Sequence, residues 1–365
     1  MPKSLRVVIA CGGTGGHLFP GLAVAEELHG RGHEILLIVS EKAIDSIALK
    51  SHPEFRAERL PSVGMPSVLS PAFIRFLRLS WESISMCRHI YKKFQPDRVL
   101  GMGGFTSTPP ILAARRQGIP SFIHESNAIA GKANRLSARF ATKVLIGFEE
   151  TARFFANSDC IFTGTPVRRN LGQRIPRDEA ITRFKLDPAR KTLLVMGGSQ
   201  GASGINQLMF RAAHSLRDRP VQIIHFTGDR DDQLAAANYL REGVPAYVAA
   251  FHHQMEEAYS AADLLITRAG ASSLSEISAF GLPSVLVPYP FAADDHQKAN
   301  ALIFARRGAA EIVTESETQA ESFAILLQNL LQDDARRRKM AKEAARTQPR
   351  DAAVRVADVV ESVTS

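Results

Sequence analysis

Three short apolar segments of the chain run directly into glycine pairs, which are Gly12–Gly13, Gly103–Gly104 and Gly197–Gly198. Glycine lets the backbone approach a ligand closely, and a helix that follows such a turn directs its free N–H groups and positive dipole end at an anion. One turn of this kind is common between a strand and a helix, but three favour a phosphate or pyrophosphate ligand. The first turn does not read GxGxxG and the chain has no P-loop motif, so neither of those nucleotide fingerprints is indicated.

Side chains that could move a proton follow two of the predicted strands. His17 comes directly after the first glycine turn, where a nearby helix N-terminus would keep the imidazole neutral and able to accept a proton. Glu125 lies in the run 124–127, four consecutive polar residues that a buried strand does not need. We therefore predict that His17 is a general base, with a structural cap as the alternative, and that the run 124–127 lines a cleft.

Polar residues of the second half suit a sugar nucleotide. Arg168 follows the breakers at 163–166, where its guanidinium could reach a diphosphate, although a surface arginine is the alternative. Glu276 lies one turn into a predicted helix and could stabilise the helix dipole or accept two ribose hydroxyls. Gln297 and Asn300 share a helical face, and amides offer sugar hydroxyls both a donor and an acceptor. A solvated helix start is the alternative for this last pair.

The composition is that of an ordinary globular protein, since 45% of the 365 residues are hydrophobic and 22% are charged. This balance excludes a disordered, collagenous or disulfide-scaffold chain. The three cysteines lie far apart, and Asp229-Arg230-Asp231, which resembles a DxD metal motif, lies in a polar turn. We therefore predict no metal site and a reduced, cytoplasmic compartment. No window approaches the ~18 apolar residues of a membrane span, which predicts a soluble chain.

The net charge of +8 is concentrated in the first half, where residues 1–165 carry 20 Lys and Arg against 13 Asp and Glu. An excess of this kind favours an anionic partner, either a phospholipid surface or a nucleic acid. The segment 66–81 combines bulky apolar residues with arginines, which predicts contact with an anionic membrane; a core helix with one solvated side is the alternative. The run 336–339 is basic, but few aromatics interleave with it, so we predict no nucleic-acid partner.

Apolar strand-like runs alternate with helical stretches, which predicts an α/β protein of two doubly wound domains with ligands in a cleft between them. The predicted strands are residues 5–10, 34–39, 98–100, 121–124, 143–147, 192–196, 221–226, 246–250, 264–267 and 284–288. The predicted helices are residues 19–31, 71–94, 109–117, 204–215, 255–261, 272–280 and 295–307. The predicted divisions are an N-terminal domain (1–164), a C-terminal domain (165–340) and a closing helix (341–365) that Pro349 breaks or kinks and that packs back on the first domain.

Seven of these motifs occur in the order typical of one known family. They are residues 12–17, 101–105, 124–127, 164–168, 197–202, 268–276 and 295–300. On these residues the chain resembles the MurG family, the glycosyltransferases that form lipid II in bacterial peptidoglycan synthesis. The resemblance implies a GT-B fold of two Rossmann-like domains and inverting transfer of N-acetylglucosamine from UDP-GlcNAc to the C4 hydroxyl of undecaprenyl-diphospho-MurNAc-pentapeptide. It also implies no cofactor and a peripheral location at the cytoplasmic face of the bacterial inner membrane.

The resemblance also implies roles for individual residues. Ser199 and Arg168 would contact the donor phosphates or ribose, and Glu276 the ribose hydroxyls. Gln297 and Asn127 would contact the sugar. Acceptor diphosphate and donor sugar would meet beside Thr14, Gly15 and Gly16, and the other implied substrate-binding residues are His252, Arg268, Ala271 and Asn300. Two positions depart from the family pattern, because Ser126 replaces a usual glutamine and His252 stands where an aliphatic residue usually packs on uracil.

The expected mechanism is a direct displacement in which the acceptor C4 hydroxyl attacks the anomeric carbon as UDP leaves. His17 is the expected general base and Glu125 the alternate. The helix that follows Gly197–Gly198 would stabilise the charge that grows on the departing diphosphate. A UDP-GlcNAc 2-epimerase, which shares two such domains and the donor, is the alternative enzyme. It needs no lipid acceptor, and the segment 66–81 argues against it.

Overall fold

The computed structural model describes residues 4–42, 45, 49–61, 64, 66, 69–172, 174–198 and 201–363. The chain divides into two compact units. Unit 1 comprises Met1–Arg168 together with Asp351–Ser365, and unit 2 comprises Arg169–Arg350. Each unit contains one parallel β-sheet with helices packed against it, so the predicted pair of doubly wound α/β domains is observed.

The strands of unit 1 are β1 (Arg6–Ala10), β2 (Glu34–Ser40), β3 (Arg56–Leu60), β4 (Arg98–Gly101), β5 (Ser121–Glu125), β6 (Lys143–Ile146) and β7 (Cys160–Phe162). The helices that alternate with them are α1 (Gly15–Gly30), α2 (Ala72–Phe94), α3 (Thr108–Arg116) and α4 (Lys132–Ser137). The strand order is β3-β2-β1-β4-β5-β6-β7. From β1 the chain adds β2 and β3 on one side, and β4 to β7 then follow on the other side of β1, so the switch point of the strand order lies between β1 and β4. Ligands of such sheets bind at the carboxyl ends of the strands that flank the switch point.

Apolar side chains on both faces of β1 anchor the strand that leads into the first glycine turn. Val7 and Ile9 are fully buried in one core layer, which includes Leu22 of α1. Val8 and Ala10 enter the opposite layer, which includes residues of α2 and α3. Because successive side chains of a strand point to opposite faces, a run without polar residues is buried on both sides, as in other parallel sheets. The carboxyl end of β1 is therefore held rigidly.

The strands of unit 2 are β8 (Lys191–Met196), β9 (Val221–Phe226), β10 (Ala246–Ala249), β11 (Leu264–Thr267), β12 (Ser284–Leu286) and β13 (Ala310–Ile312). Its helices are α5 (Arg177–Arg183), α6 (Ser203–Leu216), α7 (Asp232–Glu242), α8 (Met255–Ala261), α9 (Ala271–Phe280), α10 (His296–Arg306), α11 (Ala320–Gln332) and α12 (Asp334–Thr347). All strands are parallel, in the order β10-β9-β8-β11-β12-β13. The switch point of unit 2 therefore lies between β8 and β11.

The C-terminal segment differs from the single closing helix predicted over 341–365. The helix α12 packs on α9 within unit 2, whereas α13 (Ala352–Ser362) packs on α1 in unit 1. Gln348 is extended (φ −134°, ψ 151°), and Pro349, which cannot donate a helical hydrogen bond, follows it. The chain thus returns to unit 1 after Arg350. The chain first passes from unit 1 to unit 2 after Arg168, whereas the predicted domain boundary was after residue 164.

Candidate functional site

The first glycine turn is fixed by a buried carboxylate. Asp45 is fully buried, and its Oδ2 accepts hydrogen bonds from Gly13 N (3.0 Å), Ser40 N (2.8 Å) and Ser40 Oγ (2.6 Å). A Cβ on Gly12 would lie 2.2 Å from Ser40 N, so this position admits only glycine. The helix α1 then begins at Gly15, four residues before the predicted start. Gly15, Gly16 and His17 therefore lie in its first turn, where His17 N donates to the carbonyl of Thr14 at 3.1 Å.

The imidazole of His17 lies against the second glycine turn. Gly103 and Gly104 have φ values of 109° and 71°, a region that other residues rarely adopt. A Cβ on Gly103 would lie 3.0 Å from His17 Nε2, and one on Gly104 would lie 3.1 Å from His17 Cε1. The hydroxyl Oγ1 of Thr14 is 3.1 Å from His17 Nδ1. In the structure this turn lies against the histidine, and its contact with a phosphate stays a prediction.

Glu125 uses its carboxylate to hold the loop that follows β5. Its Oε1 accepts from the backbone and side-chain nitrogens of Asn127 at 3.0 and 3.2 Å. Its Oε2 accepts from Gly131 N and Asn134 Nδ2, both at 2.9 Å. A carboxylate offers about four acceptor positions, and Glu125, which is buried, has four donors around it. In the structure the Glu125 carboxylate thus positions Asn127, and its role as the alternate base stays a prediction.

His124, the first residue of the run 124–127, is fully buried instead of lining a cleft. Its Nε2 is 2.9 Å from the carbonyl of Gly164, and its Nδ1 is 3.2 Å from Ser126 Oγ. Burial is the main cause that lowers the pKa of His124 to about 4. The ring is therefore neutral at pH 7, with Nε2 as the donor to Gly164.

His225 in unit 2 is a second buried neutral imidazole. Its ring nitrogens contact Tyr239 Oη at 2.8 Å and Asn206 Oδ1 at 3.0 Å, and burial lowers its pKa to about 3. Both pKa values lie below that of an unfolded histidine, about 6.5. The unfolded chain therefore binds these protons first as the pH falls. The stability that the neutral rings contribute is complete above pH 6.5 and is lost toward pH 4.

We expect the free energy of unfolding to fall by about 3 kcal/mol for His124 alone between pH 6.5 and pH 4. Denaturant titrations at several pH values in this range measure the loss, and His124→Gln should flatten the pH dependence because glutamine keeps a donor for Gly164. The matched control is His214→Gln, which changes a histidine whose side chain is 75% exposed. Equal pH slopes for His124→Gln and the wild type would refute the assignment.

Arg168 lies with unit 1, against α1. Its guanidinium carbon is 4.7 Å from the ring centroid of Phe19, a cation–π contact. Its Nε is buried and has no hydrogen-bond partner among the residues that the structure describes. The predicted role of Arg168 was a contact to the donor phosphates from the joint. The structure places the side chain beside the helix that carries Gly15, Gly16 and His17.

The third glycine turn follows β8 at the switch point of unit 2. Gly201 has φ 72°, and a Cβ there would lie 2.2 Å from the carbonyl oxygen of Thr227. The helix α6 begins two residues later, at Ser203. The predicted phosphate ligand Ser199 lies outside the described residues. The observed turn and helix start are the arrangement that was predicted to bind a diphosphate.

A carboxylate that the sequence did not reveal lies at the start of α6. Glu315 packs so closely on Gly204 that a Cβ there would lie 2.2 Å from the Glu315 carboxyl carbon. Glu315 forms a salt bridge with Arg268, whose Nη1 also donates to the carbonyl of Val287 at 3.1 Å. The Arg268 guanidinium lies 5.3 Å from the ring centroid of Tyr289. Arg268 was predicted to bind substrate, but its described contacts tie three loops of unit 2 together.

Glu276 is held by a phenol that sequence reasoning missed. Tyr259 of α8 is buried, and its Oη donates to Glu276 Oε2 at 2.5 Å. Glu276 lies on α9, whose first residue is the predicted site residue Ala271. The helix α9 follows β11, one of the two strands at the switch point. The phenol therefore orients one carboxylate oxygen of a residue predicted to bind ribose.

The predicted uracil neighbour His252 is packed into the edge of the core of unit 2. Its ring stacks on Phe226 with centroids 5.3 Å apart and an interplanar angle of 6°, and Phe184 lies 5.2 Å away. Its Nε2 is 3.2 Å from Glu257 Oε2, and Glu257 also pairs with Arg183 at 2.5 Å. The imidazole is 16% exposed, so aromatic and ionic contacts cover most of it.

The two predicted amides of α10 have different surroundings. Gln297 is partly exposed, and its Oε1 accepts from Tyr289 N at 2.9 Å, which leaves its NH₂ group to donate. Asn300 is fully buried, and its Nδ2 donates to the carbonyl of Ala269 at 3.0 Å. In the structure this side chain fixes the loop after β11, and the sugar contact of Asn300 stays a prediction. Within the described part of the chain, no group of three or more His, Cys, Asp or Glu residues could hold a metal ion.

Comparisons with known proteins identify the family. The glycosyltransferase family 28 N-terminal domain matches residues 7–146, and the glycosyltransferase family 28 C-terminal domain matches residues 192–356. The UDP-N-acetylglucosamine–N-acetylmuramyl-(pentapeptide) pyrophosphoryl-undecaprenol N-acetylglucosamine transferase of Geobacter sulfurreducens is 39% identical over 358 residues, which cover 97% of each chain. The protein of the same name from Geobacter metallireducens is 39% identical over 361 residues, again 97% of each chain. The crystal structure of Acinetobacter baumannii MurG matches with TM-score 0.80 and 29% identity, and the match covers 99% of this chain and 100% of that one.

Proposed function

The chain belongs to the MurG family of N-acetylglucosamine transferases, and on this premise we propose that unit 2 binds the UDP-GlcNAc donor and unit 1 the lipid-linked acceptor. The predicted family resemblance and the predicted GT-B fold are confirmed. The protein is an enzyme that transfers N-acetylglucosamine to N-acetylmuramyl-(pentapeptide) pyrophosphoryl-undecaprenol.

The observation that carries the proposal is the pairing, in unit 2, of a glycine turn at the switch point with an oriented carboxylate on a neighbouring helix. The turn at Gly197–Gly198 precedes α6, whose N-terminal dipole favours a diphosphate, and Ser199, the predicted phosphate ligand, follows Gly198 in the sequence. Glu276, held by Tyr259, is the acceptor for the ribose hydroxyls. The free NH₂ of Gln297 and the positioned amide of Asn127 are the groups proposed to contact the sugar.

The proposed reaction is a single displacement. The imidazole of His17 removes the proton from the C4 hydroxyl of the acceptor as its oxygen attacks the anomeric carbon of the donor sugar. The bond from that carbon to the diphosphate breaks, and UDP leaves with the electron pair. The N–H groups at the start of α6 stabilise the charge that grows on the leaving diphosphate. Attack from the face opposite UDP inverts the anomeric centre.

Product analysis tests this reaction. Incubation of the enzyme with UDP-GlcNAc and a soluble analogue of the lipid-linked acceptor should give a disaccharide with a β linkage and one UDP for each sugar transferred. Incubation with UDP-GlcNAc alone should leave the donor unchanged. Formation of a UDP-ManNAc-type product from the donor alone would instead support the 2-epimerase, and an α-linked disaccharide would contradict the single displacement.

We also propose that the start of α2 contacts the anionic surface of the cytoplasmic leaflet. Ile74, Leu77 and Trp81 are 74%, 46% and 63% exposed and recur at the spacing of one helical face. Arg75 and Arg78 lie beside this apolar stripe. Arg116 stacks on Trp81, with its guanidinium carbon 5.4 Å from the ring centroid. A stripe of apolar side chains with cations beside it suits the boundary between headgroups and acyl chains.

The remainder of the segment 66–81 adds detail to this surface. Leu69 is 96% exposed, whereas Ser67 and Val68 lie outside the described residues. Phe73 and Phe76 are only partly exposed, because they pack on each other with centroids 5.9 Å apart and Phe76 meets Phe105 edge to face at 5.5 Å. Among the described residues, no helix is long and apolar enough to cross a bilayer. The proposed contact is accordingly a peripheral one.

We expect the double substitution Ile74→Asp/Leu77→Asp to weaken binding to vesicles that contain anionic lipid by at least about tenfold. Each of these side chains, when buried in an apolar phase, contributes about 1.5–3 kcal/mol. Co-sedimentation with liposomes measures the effect. The matched control is Leu234→Asp/Leu240→Asp, two exposed leucines of α7 in unit 2. Equal losses in the two double variants, or no loss in the first, would discard this surface.

A further inference from the structure

A cavity of about 440 Å³ opens at the edge of unit 2 that lies opposite the proposed donor site. Lys191, the first residue of β8, lines it, as do Asp263 and Pro283, which immediately precede β11 and β12. The strand β8 is six residues long, which separates its ends by roughly 20 Å. The cavity is therefore at the amino ends of the strands, whereas the glycine turn at Gly197–Gly198 is at the carboxyl ends.

Five cationic side chains and two carboxylates line this cavity, which gives its wall a net charge of +3. They are Arg174, Arg177, Lys191, Arg337 and Arg338, with Asp263 and Asp334. The pairs Arg177–Asp263 and Lys191–Asp334 have N–O distances of 2.7 and 3.0 Å, and Arg337 also pairs with Asp334. Arg177 reaches Asp178 as well, at 3.4 Å and outside the cavity lining. Even with Asp178 included, the wall keeps an excess of two positive charges.

Arg174 and Arg338 carry this excess, since neither has a salt bridge among the described residues. Arg174 donates only to a neutral group, the carbonyl of Phe280. Burial, and then the neighbouring guanidinium of Arg350, lower the pKa of Arg174. An anion in the cavity would offset both effects and stabilise the charged guanidinium of Arg174, because it would supply the opposite charge that the protein does not.

The rest of the lining is mainly apolar, with Ser260 as a polar exception. Ile175, Phe280, Leu282 and Pro283 contribute to it, together with the buried ring of Tyr259. A volume of about 440 Å³ lies within the range of small-molecule sites, which is roughly 300–1,000 Å³. A concave site with one cationic wall and one apolar wall matches a ligand that has an anionic end and an apolar or aromatic end.

We propose that this cavity binds a phosphorylated small molecule of nucleotide size, at a site separate from that of the donor. The site accounts for part of the basic run 336–339, which the glycosyl transfer does not use, because Arg337 and Arg338 both belong to the cavity wall. Arginine suits this task, since its planar guanidinium binds phosphate oxygens through two parallel hydrogen bonds. The phosphate would lie between Arg174 and Arg338 and the apolar end against Phe280 and Leu282.

Calorimetric titration of the full-length protein with ADP, in the presence of saturating UDP, tests the proposal. Blocking the donor site with UDP makes the result independent of the assignment of that site. ADP should bind saturably, and more tightly than pyrophosphate, which lacks the aromatic end. The double variant Arg174→Ala/Arg338→Ala should bind ADP at least about tenfold more weakly, because two charge-assisted contacts are lost. Lys339→Ala, an exposed neighbour on α12 outside the cavity lining, should bind as the wild type does.

Arg338→Glu is a second variant that leaves the Arg174 contact to Phe280 intact, and it should also abolish saturable binding of ADP. Four results would overturn the proposal. They are absence of ADP binding to the wild type, equal affinity for pyrophosphate and ADP, equal loss in Lys339→Ala, and unchanged binding in the arginine variants. Binding of single-stranded RNA that depends on Arg338, without binding of ADP, would assign the basic surface to nucleic acid instead.

Discussion

The substitution His17→Ala is expected to lower kcat by ~10²–10⁴ and to leave the affinity for UDP-GlcNAc unchanged. The imidazole lies in the first turn of α1, on the backbone of Gly103 and Gly104, and the hydroxyl of Thr14 contacts its Nδ1 at 3.1 Å. We propose that this positioned imidazole takes the proton from the acceptor hydroxyl. Removal of a positioned general base raises the barrier of the chemical step alone, because the donor is proposed to bind in unit 2.

Steady-state kinetics with varied donor and acceptor, together with direct titration of UDP, measure the two parts of this prediction. Thr14→Ala should cause a smaller loss, because it removes a positioning contact and keeps the base. If His17→Ala retained a rate within about threefold of the wild type, general-base catalysis by His17 would be wrong, since that role is worth at least about 10²-fold.

The substitution Glu276→Ala is expected to raise the KM for UDP-GlcNAc by about 10–100-fold with a smaller effect on kcat. A hydrogen bond to a charged group contributes about 1.5–3 kcal/mol, and each 1.4 kcal/mol is a factor of ten in affinity. Tyr259 donates to Glu276 Oε2 at 2.5 Å, so the carboxylate is oriented before the donor binds. Tyr259→Phe should raise the KM by a smaller factor, because it removes the orienting donor and keeps the carboxylate.

A donor that carries 2′-deoxyuridine distinguishes loss of ribose recognition from a general disturbance of the folded structure in the variant. The wild type should bind this analogue more weakly than UDP-GlcNAc, whereas Glu276→Ala should hardly distinguish the two. The matched control is Glu321→Ala, an exposed glutamate on α11 of the same unit, which should leave the KM unchanged. If Glu276→Ala still discriminated between the two donors as well as the wild type, its carboxylate would have no part in binding the ribose.

The sequence predicted the central strands of both sheets well because these strands are apolar throughout, as β1 and β8 illustrate. It missed β3, β7 and β13, which lie at sheet edges. Four of the five residues of β3 are exposed and three are charged, so it has no apolar pattern, while β7 and β13 have only three residues each. Pairing with a neighbouring strand makes these segments extended, and a local pattern does not contain that information.

The residues of the candidate site were predictable only where the residue type indicates a chemical role and the neighbouring residues in the sequence indicate its position. His17 and the glycine turns are local signals, and the structure brings His17 onto the second of these turns. Tyr259 and Asp45 act on residues 17 and 32 positions away, and no spacing rule connects such pairs before the fold is known. The helical spacing of Asn300 from Gln297 was also a local signal, but the complete burial of Asn300 depends on β11 and its loop and was not predictable.

The location of the bound donor tests the account most directly. A crystal structure of the enzyme with UDP-GlcNAc should show the diphosphate at the start of α6, beside Gly197–Gly198, and a ribose hydroxyl within hydrogen-bonding distance of the Glu276 carboxylate. Density for the uridine diphosphate at the first turn of α1, beside Gly15 and Gly16, with the switch point of unit 2 empty, would contradict the assignment of the donor to unit 2.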